Sequence, residues 1–222
     1  KNKWKQSEGS PNNGYKVNLW VYEKNLSDKI KETRENNLFL PGFNLSKDIY
    51  PTSSLNEAIG TNKIILLVVP TKFVRSISNQ LAPLLNLNSL VINAGKGIEI
   101  SSLLTIRQIL EVTLPKTCKL ATLSGPTFAL EIAQGMPSAI VAASDSEKTA
   151  LLIQSIFSCN HLKVFISNDP LGVEIGGALK NIIAITTGIA DGLKAGNNAR
   201  AAIITRGLVE MIRIGTALGA KA

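Results

Sequence analysis

A lysine in the middle of a small, apolar stretch is the first residue that could do chemistry. From Gly172 to Leu193 the sequence reads GVEIGGALKNIIAITTGIADGL, with Lys180 near its centre. At about 100° per residue, Lys180, Thr187 and Asp191 share one stripe of a helix, flanked by Gly176 and Gly177. An amine held among apolar groups loses hydration, and if unpaired its pKa falls towards neutrality, which suits a general base. Equally, it could snorkel to solvent or pair with Glu174 or Asp191. Gly95-Lys96-Gly97 sets a second amine between two residues without side-chain bulk, where a phosphate or carboxylate could approach. Ser124-Gly125-Pro126-Thr127 would enter a helix with free N–H groups and a hydroxyl, an anion-friendly arrangement. Glu23, after an alternating strand, could accept bonds from both hydroxyls of a ribose. Plainer readings stand beside each: a turn lysine, a helix cap, a solvated charge at a strand end.

The elements that must position these residues alternate. Val17 to Tyr22 reads as a strand and Leu26 to Asn36 as a helix, stopped by Leu40-Pro41-Gly42. A short helix from Ser54 to Ile59 carries Ser54 as cap with Glu57 three positions on. Lys63 to Val69 is near-continuously apolar, as in a strand buried on both faces of a parallel sheet. Helix Phe73–Leu85, strand Leu90–Asn93, helix Ser102–Glu111, strand Lys119–Leu123 and a short helix from Thr127 to Gln134 follow. Strand Ser138–Ala143, helix Lys148–Phe157 and strand Lys163–Ser167 complete the series. This rhythm implies a doubly wound α/β sheet. Beyond Asn168 it gives way to two long helical patterns, Gly172–Leu193 and Asn198–Leu218, so a domain boundary is expected at 168/169. On the second of these, Arg206, Glu210 and Arg213 are spaced for structural ion pairs.

Composition narrows the function classes. With 222 residues, 45% hydrophobic and 18% charged, the chain can bury a globular core. The formal charge of +8 suits an anionic ligand or simple solubility. The basic residues are spread, without the aromatic interleaving of a nucleic-acid binder. No uninterrupted apolar run reaches the ~18 residues of a membrane span. Cys118 and Cys159 are far apart with no CxxC, and His161 is taken as a surface or satisfied side chain, so neither a disulfide framework nor a metal site is expected. The polar stretch Lys1 to Gly14 reads as a loop. Both ends look cut: Lys1 opens without Met, and Ala222 stops inside an apolar helical pattern.

Several motifs in one order now become specific. Gly172 to Leu193 closely resembles the signature of NAD(P)-dependent glycerol-3-phosphate dehydrogenases, and Asn198-Ala199-Arg200-Ala201-Ala202-Ile203-Ile204-Thr205-Arg206-Gly207-Leu208 continues it. Ser124-Gly125-Pro126-Thr127-Phe128-Ala129, Gly95-Lys96-Gly97, Val69-Pro70, Leu40-Pro41-Gly42 and Trp20-Val21-Tyr22-Glu23 sit where that family has them. The resemblance implies a Rossmann-like cofactor domain (residues 1–168, its first strand missing) and the start of an all-α substrate domain (169–222). It implies interconversion of dihydroxyacetone phosphate and sn-glycerol 3-phosphate with NAD, NADP being possible. Lys180 would match the catalytic lysine, with Asn181 beside it orienting substrate. Lys96 would touch both cofactor and substrate, Gly125 and Thr127 substrate, and Ala129 the nicotinamide. Tyr22, Glu23 and Phe73 would lie along the cofactor. A phosphorylated small molecule is the expected partner, without nucleic acid, metal or membrane span. A homodimer in the cytoplasm, or in an organelle after import, completes the expectation. Three departures stand out. The GxGxxG fingerprint is absent, Gly95 replaces the more usual Thr or Ser, and the later phosphate-gripping loop of the substrate domain is not in the sequence. The rivals are another β-hydroxyacid dehydrogenase of the same architecture and a non-catalytic dinucleotide sensor.

Overall fold

The computed structural model describes residues 14–221; the loop expected over 1–13 lies outside them. Strands β1 (Val17–Trp20) and β2 (Ile49–Thr52) form a parallel pair. Strands β3 (Ile64–Leu67), β4 (Leu90–Asn93), β5 (Lys119–Ser124), β6 (Ser138–Ala143) and β7 (Leu162–Ser167) form one sheet in that order. β3, β4 and β5 are mutually parallel, β6 reverses against β5, and β7 follows β6. The carboxyl ends of β3 to β5 therefore lie at one edge, and their loops carry Pro70, Lys96 and Gly125.

Helices cover both faces. α1 (Lys24–Thr33) lies on β2, and α2 (Leu55–Ile59) joins the strand pair to the larger body. α3 (Thr71–Leu81) and α4 (Ile106–Thr113) bury Val74, Ile77, Ile109 and Leu110 against Leu67 and Val91, with Ile59 of α2 in the same cluster. On the opposite face, Leu90 and Ile92 join Ala121, Leu123, Ile140, Val164 and Ile153 of α6 (Glu147–Phe157). Alternation along β4 thus feeds two cores. A short α5 (Ala129–Ala133) follows β5. The long helices α7 (Pro170–Gly192) and α8 (Gly196–Ala217) pack on each other, and α7 also leans on β5 and α4.

Several expectations change. β3 was expected to be buried on both faces, yet Ile64 and Leu66 are 43% and 44% exposed. β3 is the edge strand of its sheet and α3 and α4 cover one face only, so β4 is the strand with both faces covered. β2 was not expected, because Pro51 interrupts its pattern; Pro lacks the N–H a central strand needs but is tolerated where only one side is paired. α4 begins at Ile106 rather than Ser102. Thr105 and Gln108 form a reciprocal capping box there, and a turn with Leu103 in left-handed backbone precedes it. α5 begins at Ala129 with Phe128 at its cap position, so Thr127 stands outside the helix rather than capping it. The expectation for Ser54 holds: its hydroxyl accepts from the Glu57 N–H. By length and composition α7 could cross a membrane, although no uninterrupted apolar run suggested it. Its buried Glu174 and its packing against β5, α4 and α8 make it a helix of the folded body.

Candidate active site

The site is assembled at the carboxyl ends of β4 and β5, where open α/β sheets place ligands. β4 ends on Asn93, whose side-chain oxygen accepts from the Gly95 N–H at 2.8 Å and folds the chain into the turn carrying Lys96. The Lys96 carbonyl in turn accepts from the Thr71 hydroxyl at 2.9 Å, joining this turn to the start of α3. Gly97 has φ +134°, and a Cβ there would lie 2.6 Å from the Thr71 Oγ1, so glycine is required on both conformational and steric grounds. The β5 exit is as tight: a Cβ on Gly125 would fall 2.7 Å from the Ala139 carbonyl oxygen.

α7 then lies across these loops. A Cβ on Gly177 would stand 2.9 Å from Ser124 Oγ and 3.8 Å from Lys96 Cγ, which shows how closely the helix approaches the end of β5. One helical turn on, Lys180 reaches the neighbourhood of Lys96. Burial lowers the Lys96 pKa below the ordinary lysine value, and repulsion from the Lys180 charge adds to that. Neither amine forms an ion pair among the described residues. The two acids considered as partners for Lys180 are engaged elsewhere. Asp191 pairs with Arg200 at 2.7 Å, tying α7 to α8. Glu174 is buried and turned to the sheet, accepting from Asn93, Thr122 and the Arg107 N–H. Thr187 donates back to the Ile183 carbonyl, so the supposed polar stripe is not one site.

Lys96, Lys180, Gly125 and the glycine at 177 thus converge. The other expected residues make no hydrogen bond or ion pair to either lysine. Tyr22 is exposed, edge-on to Trp20 at 6.1 Å. Glu23 stands at the start of α1 and makes no capping bond, leaving its carboxylate open to a ligand. Phe73 is half-exposed on the first turn of α3, with the Lys72 amine 4.7 Å from its ring centre. Thr127, Ala129 and Asn181 are exposed. An unpaired acceptor at Glu23 and exposed aromatic faces at Tyr22 and Phe73 are of the chemistry that fits a dinucleotide, while the glycines at 95 and 97 make room for Ile106, Asn93 and Thr71 of the protein itself. Among the described residues no cluster of three metal-ligating side chains occurs. His161, taken as a surface or satisfied side chain, has Cys159 Sγ 3.7 Å from Nε2. The Arg206–Glu210 and Arg213–Glu210 pairs form as expected on the exposed face of α8. Glu174, Asn93, Thr71 and Ser124 were not singled out from the sequence as support for the site. The available signals were a lone acid within GVEIGG and an Asn closing the apolar strand LVIN.

Two family profiles match in tandem: the NAD-dependent glycerol-3-phosphate dehydrogenase N-terminus over residues 10–150, and the C-terminus of the same family over 169–222. The chain belongs to the NAD-dependent glycerol-3-phosphate dehydrogenase family. Among its relatives, the glycerol-3-phosphate dehydrogenase [NAD(P)+] of Geobacter metallireducens is 47% identical over 209 residues, which are 93% of this chain and 62% of that protein. The crystal structure of glycerol-3-phosphate dehydrogenase from Coxiella burnetii superposes with a TM-score of 0.86 at 33% identity, over 94% of this chain and 63% of that one. The enzyme of this name from Saccharomyces cerevisiae superposes at 0.80 and 29% identity, over 90% of this chain and 61% of its own. The chain therefore spans less than two thirds of the length of the dehydrogenases it matches.

Proposed function

We propose that the protein carrying this chain interconverts dihydroxyacetone phosphate and sn-glycerol 3-phosphate, with a nicotinamide dinucleotide lying along the carboxyl edge of the sheet. The observation that carries this reading is that α7 seats its Gly177 against the Lys96 stem and brings the Lys180 charge to bear on the half-buried Lys96 amine, neither lysine having an acidic partner among the described residues. Two like charges in a half-buried site raise each other's energy, and an anionic substrate relieves that repulsion. When bound, the nicotinamide supplies or takes up the hydride at the substrate's C2. In the oxidation, Lys180 as the neutral amine takes the proton from the C2 hydroxyl. In the reduction, Lys180 as the ammonium returns that proton to the carbonyl oxygen. Proton transfer by a placed side chain contributes roughly 10²–10⁴-fold. Lys96 holds substrate and cofactor against the turn, its pKa held below the ordinary lysine value by burial and by the Lys180 charge. Gly125 and Thr127 lie on the substrate side, with Asn181 next to the base and Ala129 towards the nicotinamide. Tyr22, Glu23 and Phe73 follow the rest of the cofactor. Glu23 favours NAD over NADP, because a 2′-phosphate would meet its carboxylate. The division into a cofactor domain to residue 168 and a helical substrate domain beyond it, a homodimer and a cytoplasmic location belong to the same proposal.

Lys180→Ala in the whole protein tests the reading. Turnover of dihydroxyacetone phosphate with NADH is expected to fall at least a hundredfold, with the melting temperature nearly unchanged. Activity within tenfold of the unaltered protein would remove Lys180 from the proton path. Preference for a hydroxy acid over glycerol 3-phosphate would reassign the substrate.

A further inference from the structure

Glu174 is the buried acid that the reaction does not use. It is 6% exposed, and the two side chains it meets, Asn93 and Thr122, are each 1% exposed. Its Oε1 accepts from Asn93 Nδ2 at 2.7 Å and from the Thr122 hydroxyl at 3.2 Å, and its Oε2 accepts from the Arg107 N–H at 3.1 Å. The Arg107 N–H also lies 3.2 Å from Oε1, so both oxygens face donors, an arrangement that suits a carboxylate and sets the NH2 of a carboxamide against a donor on either side. Among the described residues no cation pairs with it: the Arg107 guanidinium is held by Glu111 and Asp145. Its negative charge is met instead by the first turn of α4, whose unsatisfied N–H groups carry the positive end of the helix dipole. Asn93 and Thr122 are register partners on β4 and β5, so Glu174 spans both strands just below the catalytic loops.

We propose that Glu174 is a positioning residue that sets Lys180 against Lys96. Resting on the dehydrogenase reading given above, this assigns both amines one common anchor. Along α7, Glu174 lies six residues before Lys180, about 9 Å along the axis, so pinning it fixes the height and rotation at which Lys180 emerges. Through Asn93 the same carboxylate reaches the other amine. Asn93 Nδ2 donates to Glu174 while its Oδ1 receives the Gly95 N–H, which leaves the Asn93 amide one orientation and the Gly95–Lys96 turn one shape. The glycine at 177, between Glu174 and Lys180, lets the helix seat against Ser124 and the Lys96 stem. A shift of α7 changes the separation of the amines, and misplacement by about 1 Å can cost on the order of 10² in rate.

The test is Glu174→Gln in the whole protein, read in two ways. Gln offers two acceptor sites and two donors, so its NH2 must face either the Arg107 N–H or one of the other donors, and α7 shifts. Turnover is expected to fall at least tenfold, with the KM for NADH within about threefold. Independently of activity, the pH midpoint for acylation of Lys96, followed by peptide mass spectrometry, should rise towards that of an ordinary lysine as the repulsion from Lys180 is relaxed. Lys180→Ala should move the same midpoint in the same direction. A variant that merely lost stability would lower the amplitude and the melting temperature without moving the midpoint. If Glu174→Gln is insoluble, Asn93→Ala, which removes both the bond to Glu174 and the acceptor for the Gly95 N–H, should lower turnover and shift the Lys96 midpoint. An unmoved midpoint in whichever variant folds overturns the proposal. Absence of dihydroxyacetone phosphate turnover in the unaltered protein, with the midpoint still moving, would sink the dehydrogenase reading and leave the anchor standing.

Discussion

Gly176 and Gly177 are neighbours on one helix with opposite surroundings, and replacing each in turn by Ala separates helix propensity from fit. A Cβ at 176 would meet only Met211 Cε at 3.8 Å, an ordinary contact. Gly176→Ala should therefore gain close to the full helix-propensity difference, about 0.5–1 kcal/mol. At 177 the new carbon would stand 2.9 Å from Ser124 Oγ. Restoring normal contact needs roughly 0.5 Å of movement by α7 or by the serine, and such overpacking costs about 1–3 kcal/mol. Set against the same propensity gain, Gly177→Ala is worth roughly zero to −2.5 kcal/mol. Differential scanning calorimetry should place the two variants several degrees apart, since about 1 kcal/mol moves a domain of this size by about 2–4 °C. Steady-state turnover should be unchanged for Gly176→Ala and about tenfold lower for Gly177→Ala, because the displaced segment carries Lys180. Adding Ser124→Ala removes the obstructing atom and should recover much of both losses, a coupling that a double-mutant cycle measures. If the two glycine variants had equal activity and stability, the close seating of α7 on β5 would not govern the site.

The remaining expectations concern Lys96 and the α4 cap. Lys96→Ala should weaken both ligands, seen as raised Michaelis constants for cofactor and substrate together; unchanged values for both would free Lys96 of its role. The lowered pKa of Lys96 means that the folded state binds its proton less tightly than the unfolded chain does. Its unfavourable contribution is thus fully present below the folded pKa and fades as pH rises from there towards about 10.4, the ordinary lysine value. Lys96→Met should accordingly raise the denaturation midpoint near pH 7 and lose that advantage above pH ~10.5; an equal gain at both pH values would reject burial of charge as its cause. Thr105→Ala should cost about 1 kcal/mol through loss of the capping box, measured by urea unfolding.

Much of this was legible in the residues because local rules decided it. LVIN and SAIVAA read as strands and formed them, since β-branched runs bounded by turns leave little else. Ser54 and Glu57 announced a helix start through short-range capping, which tertiary packing did not override. The failures share a different origin. Ile49 to Thr52 was passed over because its pairing partner, Val17 to Trp20, is 32 residues away in register and Pro51 hides the pattern. The start of α4 was placed four residues early because Ser102 looks like a cap, while the bridge from Ile98 to Thr105 holds that turn apart from the helix. Within the site, Lys96 and Lys180 could be named from their glycine-rich and apolar settings. Their supports could not, because Asn93, Thr122 and Glu174 meet only when three distant segments are packed, and nothing in GVEIGGALK says whether its acid faces the lysine or the sheet.

The amide of Arg107 is closed by a carboxylate sixty-seven residues further along the chain. The opening turn of α4 is thus completed by a group that a ribosome delivers much later, after three more strands and the intervening helices have emerged. Until that late segment docks, this peptide group must find water instead. Deuterium uptake at that one position therefore times the docking of α7 against α4 and the sheet.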